Sequence, residues 1–158
     1  MSKVIGIDLG TTFSAIASLD DLGNPEVLAS IEDNRKITAS AIYINGSNVI
    51  VGDKALNYIK NEPKKVILQT KREMENEVVY SVDQGKWTDD KDLVNAYTPS
   101  QVSSLILKKL KDYATDVKKA VITVPAMFAE KARQATLDAA KLADLEVIEL
   151  INEPTAAV

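Results

Sequence analysis

Apolar residues fall in short runs broken by turn signals up to about residue 97, and beyond it they recur at helical spacing between two strand-like runs. Val4 to Asp8 reads as a short buried strand, and Ser14 to Leu19 alternates as its partner, with Leu9 to Phe13 as the connection. Asp20-Asp21-Leu22-Gly23-Asn24-Pro25 is a dense turn signal, after which Glu26 to Ala29 offers a third strand of a meander. A second hairpin follows, Ala41 to Ile44 and Val49 to Val51, around Asn45-Gly46-Ser47. The pattern then predicts a helix over Lys54 to Lys60 capped by Asp53. A second helix is predicted over Lys64 to Met74, with Val66, Ile67 and Thr70 inward, then a strand at Val78 to Val82 and a polar loop around Asp83 to Asp92.

The strongest helix start is Thr98-Pro99-Ser100-Gln101, with Thr98 as N-cap, Pro99 in the first helical position and Gln101 completing a capping box. Val102, Leu105, Ile106, Leu110 and Tyr113 then mark one buried face. Lys119 to Val124 reads as a buried strand, Ala129 to Ala143 as an alanine-rich helix, Glu146 to Ile151 as another strand, and Pro154 as the opening of a further helix. A meander followed by αβαβ implies a mixed sheet flanked by helices, with ligands at the strand ends. The expected division is a core of residues 1–37 and 98–158 with residues 38–97 inserted as a small α+β subdomain.

Composition narrows the chemistry. Of 158 residues, 46% are hydrophobic and 27% charged, with six Gly and five Pro, as befits a folded unit with a real core. The absence of Cys removes thiolate chemistry and disulfides, and the absence of His removes the imidazole base and the commonest metal ligand. Carboxylates, hydroxyls, Lys or Arg, backbone amides and a hard cation remain. The net charge of −4 argues against a nucleic-acid surface. No long apolar run or signal-like start is present, which leads to the expectation of a cytoplasmic protein without a membrane partner.

Four places could carry chemistry. Asp8-Leu9-Gly10-Thr11-Thr12 sets a carboxylate at a strand end beside a glycine turn and two hydroxyls, a pattern suited to phosphate oxygens, with Asp8 acting through Mg²⁺ and its waters; an ordinary hairpin turn reads equally well. Lys71 and Arg72 follow Lys60, Lys64 and Lys65, so they form either a solvated basic face or a lysine for a γ-phosphate. Glu153 lies between a strand and Pro154, either held for catalysis or simply placed at a helix N-terminus. Pro125 and Arg133 have plain readings as a strand stop and a surface charge, and Trp87 and Tyr97 read as packing residues.

Taken in order, Ile5-Gly6-Ile7-Asp8-Leu9-Gly10-Thr11-Thr12, Val51-Gly52-Asp53, Lys71-Arg72, Tyr97-Thr98-Pro99, Val121-Ile122-Thr123-Val124-Pro125-Ala126, Arg133-Gln134-Ala135-Thr136 and Ile151-Asn152-Glu153-Pro154-Thr155-Ala156-Ala157 strongly resemble the 70-kDa heat-shock protein family, the DnaK-type chaperones. The resemblance runs from the first residues to the last.

It implies an actin-like, ribonuclease H-like ATPase fold in which ATP or ADP with Mg²⁺ binds between two lobes. It also implies a separate domain that takes unfolded or extended peptides under the control of a J-domain co-chaperone and a nucleotide exchange factor. Carried over by position, Asp8 would hold Mg²⁺ through water, and Gly10, Thr11, Thr12 and Phe13 would form the first phosphate loop. Lys71 would serve the γ-phosphate, Glu153 would organise metal and water, and Pro125 and Arg133 would relay nucleotide state between domains.

Some positions depart from the family's pattern. Phe13 stands where Tyr or Asn is frequent, Thr38-Ala39-Ser40 replaces Thr-Pro-Ser, and Glu73-Met74-Glu75-Asn76 replaces hydrophobic-Ile-Gly-Arg. The family's second phosphate loop, adenosine pocket, second lobe and peptide-binding domain find no counterpart in these residues. The resulting expectation is weak ATP binding and no turnover by the 158 residues alone. A sugar-type kinase of the same superfamily and a non-catalytic interaction module are the competing readings.

Overall fold

The computed structural model describes residues 3–153; the expected helix opening at Pro154 lies outside them. The chain opens with β1 (Lys3–Asp8), β2 (Phe13–Leu19) and β3 (Pro25–Val27), an antiparallel meander in which Ile7 faces Ile16 and Ala17 faces Val27. Two parallel strands complete the main sheet, β11 (Val117–Val124) beside β1 and β12 (Glu146–Asn152) at the edge, giving the order β12-β11-β1-β2-β3. This is the mixed α/β sheet expected from the sequence.

Two helices cover it. The α2 helix (Pro99–Lys111) buries Val102, Ile106, Leu107 and Leu110, while α3 (Glu130–Leu142) buries Ala132, Thr136, Ala139 and Ala140. Because alanine leaves little side chain between backbones, α3 packs closely enough on α2 for the Ser100 hydroxyl to donate to the Ala135 carbonyl at 3.0 Å. The capping box is present in full: Thr98 accepts from the Gln101 N–H at 3.2 Å, and Gln101 accepts from the Thr98 N–H at 2.9 Å. The two strands expected to be buried turn Ile5, Ile7, Ala120 and Ile122 inward, while their other face is partly covered along β11 and exposed at Val4.

Between β3 and α2 the chain builds two smaller sheets. One joins β5 (Ala41–Asn45) to β6 (Asn48–Val51) and β7 (Val66–Leu68); the other joins β8 (Val79–Ser81) to β9 (Lys86–Thr88) and β10 (Ala96–Tyr97). A two-residue β4 (Thr38–Ala39) pairs with β2. The hairpin turn at Gly46-Ser47 uses Gly46 at φ +60°, where glycine pays no steric penalty. Ile42, Ile44, Ile67, Tyr80 and Val82 join Ile5, Ile7, Leu107 and Ile122 in one continuous core. Trp87 and Tyr97 pack against that core, and Trp87 meets Tyr80 edge to face at 5.4 Å.

Here the helical expectations fail. Lys64 to Met74 is not a helix: a 3-10 turn (Pro63–Lys65) leads into β7, and a second 3-10 turn (Thr70–Glu73) follows. The run Val66-Ile67-Leu68 gains more by pairing with Tyr43-Ile42-Ala41 of β5 than by helical hydrogen bonds, and Gln69 at φ +55° breaks the chain direction. The helix expected over Lys54 to Lys60 is only α1 (Asp53–Leu56), and its N-cap is Gly52. Asp53 does not cap it, because its carboxylate accepts from Arg35 at 2.5 Å and from the Ala39 N–H at 3.3 Å. The expected polar loop contains β9, and the third strand starts at Pro25 and stops at Val27.

Thr98→Ala is expected to lower the unfolding free energy of the 158-residue chain by about 1 kcal/mol in urea titration, through loss of the cap. A second test concerns acid. Glu32 is clamped by Lys109 and, at 2.6 Å, by Lys54, and these ammonium groups hold its carboxyl down at about 2. The folded value lies below the ordinary one of 4.5, so this pair's contribution is complete above 4.5 and fades as pH falls toward 2. Carboxyl titration by NMR is expected to show that low midpoint. Glu32→Gln should flatten the acid limb of stability only slightly, because exposed pairs are screened.

Candidate functional site

The ends of three parallel strands and one 3-10 turn meet at a common edge. β1 ends at Asp8, which lies opposite Thr123 of β11, and the Thr123 hydroxyl donates to Asp8 Oδ1 at 2.9 Å. The carboxylate is otherwise exposed, held in orientation but accessible to solvent. Among the described residues no three acidic side chains converge. A single exposed carboxylate of this kind suits a small hard cation held through its waters.

The loop after Asp8 is braced from beneath. Ser14 Oγ accepts the Gly10 N–H at 3.2 Å, Ser14 and Ser40 hydroxyls meet at 2.8 Å, Ser40 Oγ donates to the Gly10 carbonyl at 2.8 Å, and the Ser40 N–H donates to the Thr12 carbonyl at 2.8 Å. Both serines are almost fully buried, which makes this paired-hydroxyl brace costly to break. A Cβ at Gly10 would lie 2.0 Å from the Phe13 carbonyl oxygen, so no other residue fits there without moving the turn. The Gly10 amide is committed inward, leaving Thr11 and Thr12 as the side chains with hydroxyl groups on this loop. The Ser14–Ser40 brace and Thr123 are the parts sequence reading missed; the signal available was the alternation of β2, which turns Ser14 inward with Ile16.

Thr11, Lys71, Arg72, Glu75, Pro125, Met127, Phe128 and Glu153 line one cleft of about 310 Å³. Four candidates separated by as many as 142 positions, Thr11, Lys71, Pro125 and Glu153, thus share one wall. The Lys71 side chain is only 10% exposed and its ammonium forms an ion pair with Glu153, which settles the basic-face alternative against a freely solvated lysine. The same ammonium lies 5.9 Å from the Phe128 ring centre, within cation–π range.

Thr12 and Phe13 point elsewhere. With Thr11, Ala39, Leu56 and Leu68 they line an adjoining apolar depression of about 150 Å³, and Phe13 is half exposed. Pro125 ends β11 and its carbonyl accepts the Phe128 N–H at 3.0 Å, closing a turn. Arg133 on α3 does not enter the cleft; its Nε donates to the Phe128 carbonyl at 3.2 Å and its terminal nitrogen to Asn152 Oδ1 at 2.9 Å. Arg133 is therefore no idle surface charge, since it fastens the Pro125–Phe128 turn to the residue before Glu153.

Among the described residues no helix is long and apolar enough to cross a membrane. The mixed sheet flanked by helices is the α/β fold expected of the family whose motifs the sequence carries. A family model described as "Hsp70 protein" matches residues 4–158, nearly the whole chain, and the chain belongs to the Hsp70 family.

Proposed function

We propose that these residues form the first lobe of an ATPase that drives a chaperone cycle of peptide binding and release. The observation that carries this reading is the meeting of Thr11, Lys71, Pro125 and Glu153 in one cleft, with the lysine ammonium held against Glu153. The Hsp70 family binds ATP, and the chemistry of this edge agrees with phosphoryl transfer to water. Lys71 offsets the negative charge that builds on the transferring phosphoryl group; the hydroxyl of Thr11, which lines the same cleft, holds its oxygens; Glu153 releases Lys71 to the phosphate and orders water in its place. Asp8, aimed by Thr123, would hold Mg²⁺ through its waters, and the bound ion would neutralise phosphate charge. Phe13 flanks the phosphate loop and offers no polar group there.

In the same reading, residues 1–37 and 98–158 make up the core subdomain and residues 38–97 an inserted one. Pro125 and Arg133 carry the state of the cleft outward, because Arg133 bonds both the Phe128 carbonyl and Asn152. Extended peptides, a J-domain co-chaperone and a nucleotide exchange factor are the partners this reading assigns to the whole protein, and the cytoplasm is its compartment.

The test is phosphate release from Mg-ATP by the protein encoded by the complete reading frame that carries these residues. Phosphate without a phosphorylated sugar is expected, and Lys71→Ala should lower turnover by about 100-fold, as when one charge-stabilising donor is removed. Sugar phosphorylation would replace this reading with a kinase, and turnover untouched by Lys71→Ala would remove the role given to that lysine. Calorimetric titration of the 158 residues alone is expected to show weak or undetectable Mg-ATP binding, since the described cleft is a single wall; micromolar affinity would contradict that.

A further inference from the structure

The segment after Lys71-Arg72 departs from the family's pattern and carries Glu75 and Glu77 on a stretch that touches α3. Glu75 Oε1 accepts the N–H of Ala129 at 3.0 Å. Ala129 is the N-cap position of α3, and Ala132 at N3 has no side-chain acceptor to reach back to its N–H, so Glu75 supplies the bond that the N3 residue of a capping box would make. A carboxylate at a helix N-terminus also faces the positive end of the helix dipole. Nearby, Glu77 makes a second tie to the same helix through Lys131 at 3.1 Å, and it holds Lys91 at 3.2 Å.

Phe128, the residue before Ala129, has its ring 5.9 Å from the Lys71 ammonium. On the other side, Glu75 follows Met74, which is buried and whose sulfur accepts the Ser103 hydroxyl of α2 at 3.4 Å. The 3-10 turn that holds Lys71 is thus anchored to α2 through Met74 and to the start of α3 through Glu75. A closed circuit results: Lys71 to Glu153, Asn152 to Arg133, Arg133 to the Phe128 carbonyl, and Ala129 back through Glu75 to the turn of Lys71. Glu75 also lines the cleft itself.

We propose that Glu75 is a positioning residue for Lys71, fixing the distance between the lysine's turn and the Pro125–Phe128 turn so that the ammonium stays aimed into the cleft. The inference rests on the ATPase reading above. Glu75 does not touch the reacting atoms; it acts by closing the circuit, and the acceptor oxygen rather than the charge is what the circuit requires.

The experiment measures single-turnover hydrolysis and KM for Mg-ATP in the complete protein for the wild type, Lys71→Ala, Glu75→Ala and Glu75→Gln. Glu75→Ala is expected to slow the chemical step roughly tenfold, a modest misplacement of one group, with KM changed by less than about twofold. Glu75→Gln, which keeps an acceptor at the same reach, should recover at least about half of the wild-type rate. Amide exchange at Ala129 should quicken in the alanine variant and not in the glutamine one. An active wild type with an unimpaired Glu75→Ala variant, or with a glutamine variant as slow as the alanine one, overturns this inference alone. A wild type that does not hydrolyse ATP overturns the ATPase reading and this inference together.

Discussion

Parallel pairing of β1, β11 and β12 is the constraint on which the rest depends. Parallel strands end at the same edge of a sheet, so the register that sets Asp8 opposite Thr123 and Thr123 opposite Ile151 delivers the Gly10 loop, the Pro125 turn and Glu153 to one place. Parallel pairing also requires a crossover, and α3 provides the one between β11 and β12. The helices are as necessary to the edge as the strands, since Ile5, Ile7 and Ile122 share one core with Val102, Ile106, Leu107 and Leu110 of α2.

Onto this edge the middle of the chain brings Lys71, with Arg72 beside it. Lys71 comes on a short 3-10 turn between β7 and Met74, and its position depends on contacts made from outside its own segment: Glu153 beyond β12, Phe128 before α3, and Glu75 reaching to Ala129. A lysine side chain only 10% exposed with one carboxylate partner is costly to arrange unless the pair is used or well bonded, and here the pair lines an open cleft rather than the core. Ser14 and Ser40 solve a related problem under the loop. Their hydroxyls satisfy each other and the Gly10 backbone, which lets a polar loop sit on an apolar sheet without unpaired groups.

Much of the fold was legible because local signals agreed with one another. The alternation of β2, the capping box at Thr98, the helical period after it and the Gly46-Ser47 turn all name their structures from a few adjacent residues. The failures lie where local signals conflict with distant pairing. Val66-Ile67-Leu68 among lysines has the look of a helix face, yet β5 offers it a ladder of hydrogen bonds, and Asp53 beside a helix start is drawn away by Arg35 and the Ala39 amide. For the site, Asp8, Gly10, Thr11, Lys71 and Glu153 could be named from their motifs, and the inward turn of Ser14 from the alternation of β2, whereas Thr123, Ser40 and Glu75 could not, because each acts on a partner distant in sequence.

The sequence by itself determined the element types with strong periods, the exclusion of thiol and imidazole chemistry, and the family, since each is written in residue identity and short-range spacing. Only the tertiary structure decided that Lys71 is a buried partner of Glu153 rather than a solvated charge, that Arg133 braces the Phe128 turn, and that Glu75 ties the lysine's turn to α3. The physical reason is that these are electrostatic and hydrogen-bonded contacts of side chains, two of them with partners 54 and 82 positions away, whose strength depends on distance and burial. Distance and burial are set by strand register and helix packing, which no short stretch of the chain records.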